Sequence, residues 1–251
     1  MQKPVFNPCI LIPVYNHEHA IGQVLAKVLN YRVACLLVDD GSSAVCAQEL
    51  NRLAASYPAE VVLLRHAWNQ GKGAAVLTGM QHAVSHGYTH VLQIDADGQH
   101  DTNDIPVFLE YARKHPDAIV TGYPVYDESV PSIRFFGRYL THVWVWINTL
   151  SLKVKDSMCG FRVYPILPVI RLITRQPLRK RMAFDSDIIV RLYWDGVDVV
   201  NLPTRISYPA DGVSHFRLWS DNFQIACMHA RLFLGMLIRL PQLLRHKRER
   251  R

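Results

Sequence analysis

The chain has 251 residues, 49% of them apolar and 20% charged, which suffices for one large α/β domain, and no Pro/Gly/Ser-rich linker, repeat or low-complexity block divides it. Of the net charge of +7, +5 lies in the last thirteen residues, where Arg239, Arg245, Lys247, Arg248, Arg250 and Arg251 face only Glu249; the body is close to neutral, which argues against nucleic acid as a partner. The five cysteines (Cys9, Cys35, Cys46, Cys159, Cys227) lack the spacing of a zinc site or a disulfide framework and fit a reducing compartment, and polar Asn7 leaves no room for the apolar core of a signal peptide.

In chain order, Cys9 to Ile12 is a β-type run stopped by Pro13, and Asn16 to His19 open a helix whose Ile21, Val24, Leu25, Val28 and Leu29 keep a helical period. Ala34 to Val38 reads as a second buried strand, closed by Asp39-Asp40-Gly41-Ser42, a segment that would also serve as a helix N-cap turn. A helix near Ala44 to Tyr57, a strand at Val61 to Leu64 and a helix from Lys72 to Ser85 follow. This alternation predicts a mainly parallel sheet, whose ligands bind beyond the carboxyl ends of the strands. Pro13-Tyr15, Asp39-Asp40 and Asp95-Asp97 all fall at such ends and are expected to meet in one crevice.

The segment Val91 to Asp101, VLQIDADGQHD, is an apolar strand that breaks off into acids. Asp95, Asp97 and Gln99 sit at every second position, so their side chains are expected to leave the strand end toward one side. Oxygen donors converging there suit Mg²⁺ or Mn²⁺, which takes one or two carboxylates from a protein and fills its other positions with phosphate oxygens or water. The plain alternative is an acidic turn. No G-x-G-x-x-G follows the first strand, so a dinucleotide fingerprint is missing. Gly71-Lys72-Gly73 is not a P-loop either, because His66 stands where the first glycine belongs and no Ser or Thr follows Lys72. A lysine opening a helix between glycines can contact a phosphate or simply mark a turn.

Further on, Asp104 to Lys114 reads as a helix, Ala118 to Gly122 as a strand, and Val197 to Ile206 as a final strand. Arg134 to Leu152, with Phe135, Phe136, Tyr139, Trp144 and Trp146, is either core or a helix at a membrane interface. Phe184 to Arg191 starts a helix with Asp185 and Asp187 in its first turn, where the helix dipole favours carboxylates. Asn222 to Leu244 reads as a helix in which Leu232 to Ile238 is uninterrupted between Arg231 and Arg239; this run is too short to cross a bilayer, which takes ~20 residues. With its basic tail it is expected to lie on an anionic membrane surface, or else to pack on the domain. The chain thus divides into a body, 1–217, and an amphipathic helix with tail, 218–251.

In this order and spacing, I-P-V-Y-N, V-D-D-G-S, N-Q-G-K-G and D-A-D-G-Q-H resemble the family 2 glycosyltransferases, inverting enzymes with the nucleotide-sugar-binding GT-A fold, over roughly Asn7 to Arg217. The resemblance implies that Pro13, Tyr15 and Asp40 hold the nucleotide, with Lys72 and Asp95 toward its phosphates, and that Asp97 and Gln99 hold Mn²⁺ or Mg²⁺. Asp156 to Arg162, DSMCGFR, is similar to the D-x-x-S-G-F-R segment of the polyprenyl-phosphate sugar synthases with Cys159 in place of serine, which makes Asp156 and Arg162 candidates for an acceptor pocket. Phe184 to Arg191 resembles the family's E-D-x-D-L-x-x-R stretch, with Phe184 in place of glutamate. By that likeness Asp185 is the general base, Asp156 the second choice, and Asp187 belongs to the acceptor side. Gly212 to Arg217 resembles the G-x-S-(basic) loop over the diphosphate, so His215 is a candidate counter-charge or metal ligand and Arg217 a candidate phosphate contact. The implied activity is metal-dependent transfer of a sugar from a UDP- or GDP-sugar to a lipid-linked or membrane acceptor at the inner face of the cytoplasmic membrane. The alternative is a catalytically silent relative kept as a membrane-docked interaction protein.

Overall fold

The computed structural model describes residues 5–125, 132–206 and 218–249. Strand and helix alternate from the start as β1 (Pro8–Val14), α1 (Glu18–Leu29), β2 (Cys35–Asp39), α2 (Ala44–Ser56), β3 (Val61–Arg65), α3 (Lys72–Ser85) and β4 (His90–Gln93). A 3-10 turn at Thr102–Asp104 leads into α4 (Ile105–Lys114), β5 (Ile119–Val125), α5 (Ser132–Thr149), β6 (Arg162–Pro165), α6 (Ile166–Arg175), α7 (Phe184–Trp194), β7 (Val199–Arg205) and α8 (Leu218–Glu249).

These elements build a seven-stranded sheet in the order β3-β2-β1-β4-β6-β5-β7. The pairs β1–β2, β2–β3, β1–β4 and β5–β7 are parallel, while β6 runs antiparallel to both β4 and β5. The continuous apolar runs of β1 and β2 are buried on both faces, as strands inside a helix-covered parallel sheet must be. One layer buries Ile21 and Leu25 of α1, Leu50 of α2 and Phe108 of α4 against the sheet. The other gathers Val76 of α3, Val145 of α5, Val169 of α6, Ile188 and Trp194 of α7, and Leu232 of α8. The mainly parallel α/β architecture is therefore the expected one.

Three local expectations are corrected. Strand β4 stops at Gln93, and Ala96 and Asp97 lie in a turn closed by Gly98 at φ 73°, so the side chains of Asp95, Asp97 and Gln99 do not alternate along an extended chain. Strand β6 and helix α6 add to the expected elements: RVYP is short, begins with a charge and shows no period, whereas Ile166, Val169 and Leu172 do keep a helical one. Helix α8 is longer than its apolar run implied, and Trp219–Arg245 is long and apolar enough to cross a membrane by length and composition. Met228, Leu232, Met236 and Leu243 nevertheless bury one side of it in the core.

Candidate functional site

The carboxyl ends of β1 and β2 are stitched together. Val14 O accepts the Asp40 N–H at 2.8 Å, the Asn16 N–H donates to Ser42 Oγ at 3.1 Å, and the Ser43 N–H donates to Asn16 Oδ1 at 2.7 Å. Pro13, Val14 and Tyr15 therefore stand beside Asp39 to Ser43. Asp39 turns back into the fold, accepting from Ser42 N at 2.9 Å and Arg65 Nε at 2.7 Å. Asp40 is buried and grips the loop after β3: its carboxylate accepts from Gln70 N at 2.9 Å and Gly71 N at 2.7 Å and meets His66 Nδ1 at 2.8 Å. His66 in turn reaches Thr78 Oγ1 at 2.9 Å. A carboxylate offers about four lone-pair sites. Three are taken, so Asp40 keeps one for a further donor. Gly41 is required between them, because at φ 69° a Cβ would fall 2.3 Å from the Trp68 carbonyl carbon.

Gly71 caps α3 and hands the chain to Lys72. The Lys72 Nζ lies 2.8 Å from Asp95 Oδ1, 3.0 Å from Asp95 Oδ2 and 3.0 Å from Asp185 Oδ2. Burial alone would lower the lysine pKa, but the charges of Asp185 and Asp95 outweigh it and raise the value. Burial likewise opposes ionisation of Asp95, yet Lys72 and His100 hold its carboxyl well below the usual range. Asp97 behaves in the opposite way, its pKa raised by burial and by the neighbouring charge of Asp95. Its Oδ1 accepts the Gln99 N–H at 3.0 Å. The route Asp40 to Gly71, Lys72 and Asp95 is thus continuous along the carboxyl ends of the strands.

Asp185 stands in the first turn of α7. Its Oδ1 receives Gln93 Nε2 at 3.3 Å, and its backbone carbonyl accepts from an Arg162 guanidinium N–H at 2.6 Å. Arg162 is fully buried, with its Nε donating to Thr121 Oγ1 at 3.0 Å. It therefore supports α7 from inside the sheet and has no exposed surface to offer a ligand. Asp187, also buried, accepts from Arg179 N at 2.9 Å and Arg191 Nε at 2.6 Å, so its carboxylate is committed to fixing the entry to α7.

Asp156 is committed as well. Its Oδ1 accepts from Met158 N at 2.8 Å and Cys159 N at 2.7 Å, and its Oδ2 faces Arg138 Nε at 2.6 Å and His142 Nε2 at 3.3 Å. Against the upward push of burial, these partners hold its carboxyl well below the usual range. That geometry makes Asp156 an anchor joining α5 to the loop before β6, not a base with a free lone pair. The same loop ends in Gly160, which lies flat on Asp95: a Cβ there would sit 2.4 Å from a carboxylate oxygen. His215 and Arg217 lie outside the described residues.

Among the described residues no three His, Cys, Asp or Glu side chains form a ready-made metal cage. The donor set still fits a hard cation. Asp95 and Asp97 offer carboxylate oxygens side by side, and Asp97 resists ionisation beside Asp95, a repulsion that a cation would relieve. Reading the sequence missed Gln93, His66, His100, Gly160, Arg138 and His142. Of these, Gln93 carried a signal, a polar side chain inside an apolar strand; the others become neighbours only through the fold.

A model of the family described as Glycosyl transferase family 2 matches residues 9–181, more than half of the chain. The chain belongs to glycosyl transferase family 2. The family 2 match includes β1 to α6 and both Asp95 and Asp97, and it ends just before α7. An uncharacterized protein of Methanocaldococcus jannaschii is 28% identical over 82% of this chain and 90% of its own length. The polyprenol monophosphomannose synthase of Mycolicibacterium smegmatis is 25% identical over 84% of this chain and 82% of its own. Among solved structures, glucosyl-3-phosphoglycerate synthase from Mycobacterium tuberculosis in complex with Mn²⁺ and UDP-glucose matches with a TM-score of 0.61 at 15% identity, over 94% of this chain and 79% of that one. A mannosyltransferase from Pyrobaculum calidifontis in complex with GDP-mannose and Mn²⁺ gives 0.59 at 14% identity, over 96% of this chain and 73% of that one. The family 2 transferase therefore has the expected GT-A type fold.

Proposed function

We propose that this family 2 glycosyltransferase moves a sugar, with inversion, from a UDP- or GDP-sugar to a lipid-linked acceptor, with a polyprenyl phosphate the acceptor favoured by its relatives' names. The observation that carries the reading is the single ammonium of Lys72 shared by Asp95 and Asp185 at the carboxyl ends of the strands, next to the loop gripped by Asp40. A charged sugar nucleotide placed there meets a cation and two acids together. The names of relatives agree: several are dolichyl-phosphate or undecaprenyl-phosphate transferases, and two structural neighbours hold Mn²⁺ with a nucleotide sugar.

Pro13 and Tyr15 present the end of β1 to the nucleoside, where a tyrosine ring offers a stacking face and Asp40 keeps one lone pair for an N–H donor. Lys72 opens α3 and turns its ammonium toward the diphosphate, adding its charge to the helix N-terminus. Asp95 and Asp97, with Gln99 and His215 as further candidates, would hold Mn²⁺ or Mg²⁺. When bound, that ion supplies Lewis-acid stabilisation of the charge that grows on the departing nucleoside diphosphate. Asp185 is placed to take a proton from an acceptor hydroxyl, held by Gln93 and by the Arg162 bond to its carbonyl. A polyprenyl phosphate needs no such base, since its second pKa is ~6.

Residues 1–217 then form the catalytic part and 218–251 the part that meets the membrane, on its cytoplasmic face. Calorimetry with UDP- and GDP-sugars in the presence of Mn²⁺ tests the reading: uptake of one donor by the wild type and its loss in Asp97→Ala support it. No uptake of either donor returns the protein to a silent relative. Near-normal turnover in Asp185→Asn, with turnover abolished in Asp97→Ala, favours a phosphate acceptor, which needs no base.

A further inference from the structure

Helix α8 is apolar on two sides. One stripe, Met228, Leu232, Met236 and Leu243, is buried against the domain, where Arg239 also lies over the Trp194 ring at 4.9 Å. A second stripe, Trp219, Phe223, Leu234, Ile238 and Leu244 at helical spacing, faces outward; Trp219 is 86% and Ile238 80% exposed. A helix that is apolar on both sides requires a second apolar medium beyond the one its own domain supplies.

Helix α5 repeats the pattern beside it. Leu140, Trp144 and Ile147 follow at i, i+4 and i+7 and are all exposed, Leu140 to 60%. Trp144 lies at the seam, its ring stacked on His229 at 6.2 Å and edge-on to Phe233 at 6.2 Å, both on α8. Trp144 of the α5 stripe therefore packs against α8, which sets the exposed side of α5 next to that helix.

We infer that α5 and α8 together form one docking face for an anionic lipid surface, lying in the headgroup region with both outward stripes turned to the acyl chains. Charge selects this occupant. From residue 218 to the end the basic residues are Arg231, Arg239, Arg245, Lys247, Arg248, Arg250 and Arg251, against Asp221 and Glu249, and Asp221 is buried. Such a segment is attracted to anionic headgroups, while a second copy would bring the same excess of positive charge. Trp219 and Trp144 are the residue type that collects at the interface. The helix lies on the surface and does not cross it, because crossing would strip the inner stripe, with Asp221 and His229, from its place in the domain. Arg138 and His142 of α5 also hold Asp156, in the loop whose Gly160 lies against Asp95, so this face and the site share one packed connection.

The inference builds on the reading of the acceptor as a lipid phosphate, and its test is independent of donor binding. The full-length protein, without nucleotide, is sedimented with vesicles of phosphatidylcholine alone and of phosphatidylcholine with phosphatidylglycerol. The wild type is expected to partition onto the anionic vesicles and to be released as salt is raised. Leu234→Glu on α8 and Leu140→Glu on α5 are each expected to lower the partition about tenfold, since a charge resists burial at that depth. Val107→Glu, at an apolar, exposed position on α4 away from both helices, is expected to change nothing. Circular dichroism of each variant checks the fold, which these exposed positions should leave intact. No binding to anionic vesicles overturns the inference, as does salt-insensitive self-association of the wild type in its place. If Leu140→Glu binds like the wild type while Leu234→Glu does not, the two-helix face is overturned in favour of α8 alone.

Discussion

Lys72 and Asp185 are 113 positions apart in the chain, yet the ammonium of one lies 3.0 Å from a carboxylate oxygen of the other, with Asp95 on its opposite side. The lysine is a tethered cation between two acids that belong to different halves of the fold. Removing its charge leaves those acids facing each other across a buried gap. Lys72→Met is therefore expected to lower unfolding stability by about 2–3 kcal/mol, read from the urea midpoint, because breaking a buried ion pair strands the partner charge. It should also weaken Mn²⁺-dependent nucleotide uptake by at least about tenfold, the cost of one charge-assisted contact. Lys72→Arg, which keeps the charge, should recover most of the stability. If the methionine variant is as stable as the wild type, the bridge is not formed in solution.

Much of this site could be read from the sequence because its residues stand at boundaries between periodic elements. Apolar runs ending in Pro13, Asp39 and Asp95 mark strand ends, and the carboxyl ends of parallel strands share one edge of a sheet. What could not be read is the second contact each side chain makes. Arg162 and Asp187 sit in motifs that resemble acceptor-binding segments, but the pairing of β6 with β4 and β5 places the arginine inside the sheet, and α7 turns Asp187 onto Arg191. Nothing in RVYP announces an antiparallel strand. The two apolar sides of α8 were hidden for a related reason: the unbroken run from Leu232 to Ile238 masks the three-four spacing that separates a buried side from an exposed one.

Gly160 provides a probe that does not touch charge. A methyl group there would fall 2.4 to 2.7 Å from the Asp95 carboxyl group, closer than Cβ contacts tolerate. The backbone of the loop is fixed by Asp156, so the carboxylate has to give way. Gly160→Ala is expected to reduce Mn²⁺-dependent nucleotide affinity about tenfold or more, as misplacement of a positioning group does. The melting temperature should fall only slightly. An unchanged affinity would mean that Asp95 is not part of the binding geometry.

Asp156 should support the fold at neutral pH and lose that support in acid. Its carboxyl is held well below its usual value by His142 and Arg138, so the folded state binds fewer protons than the unfolded one as pH falls. Its contribution is full above the unfolded carboxylate value of ~4 and is lost as pH drops through the folded one. Asp156→Asn should cost about 3 kcal/mol at neutral pH, since it removes the charge opposite Arg138 and one of the acceptors. The same variant should flatten the acid limb of the stability curve, which a pH series of urea midpoints would show. If the limb remains as steep, other carboxylates govern it.

His229 predicts a second pH effect, in a milder range and at the seam between α5 and α8. Burial between α5 and α8 lowers its pKa from 6.5 to about 4, its Nε2 has no hydrogen-bond partner, and its Nδ1 meets Asn148 Nδ2 at 3.3 Å. The amide donates, so the neutral ring accepts at Nδ1 and carries its proton on Nε2. Between the two values the unfolded chain binds a proton that the folded chain refuses, so stability must fall as pH is lowered from about 6.5 toward about 4. The full span amounts to ~3 kcal/mol at 1.36 kcal/mol per unit. His229→Gln keeps an acceptor for Asn148 and removes the titration, and it should abolish this slope while leaving that of Asp156, which begins lower. Retention of the slope in His229→Gln would show that the ring is not held neutral at the α5–α8 seam.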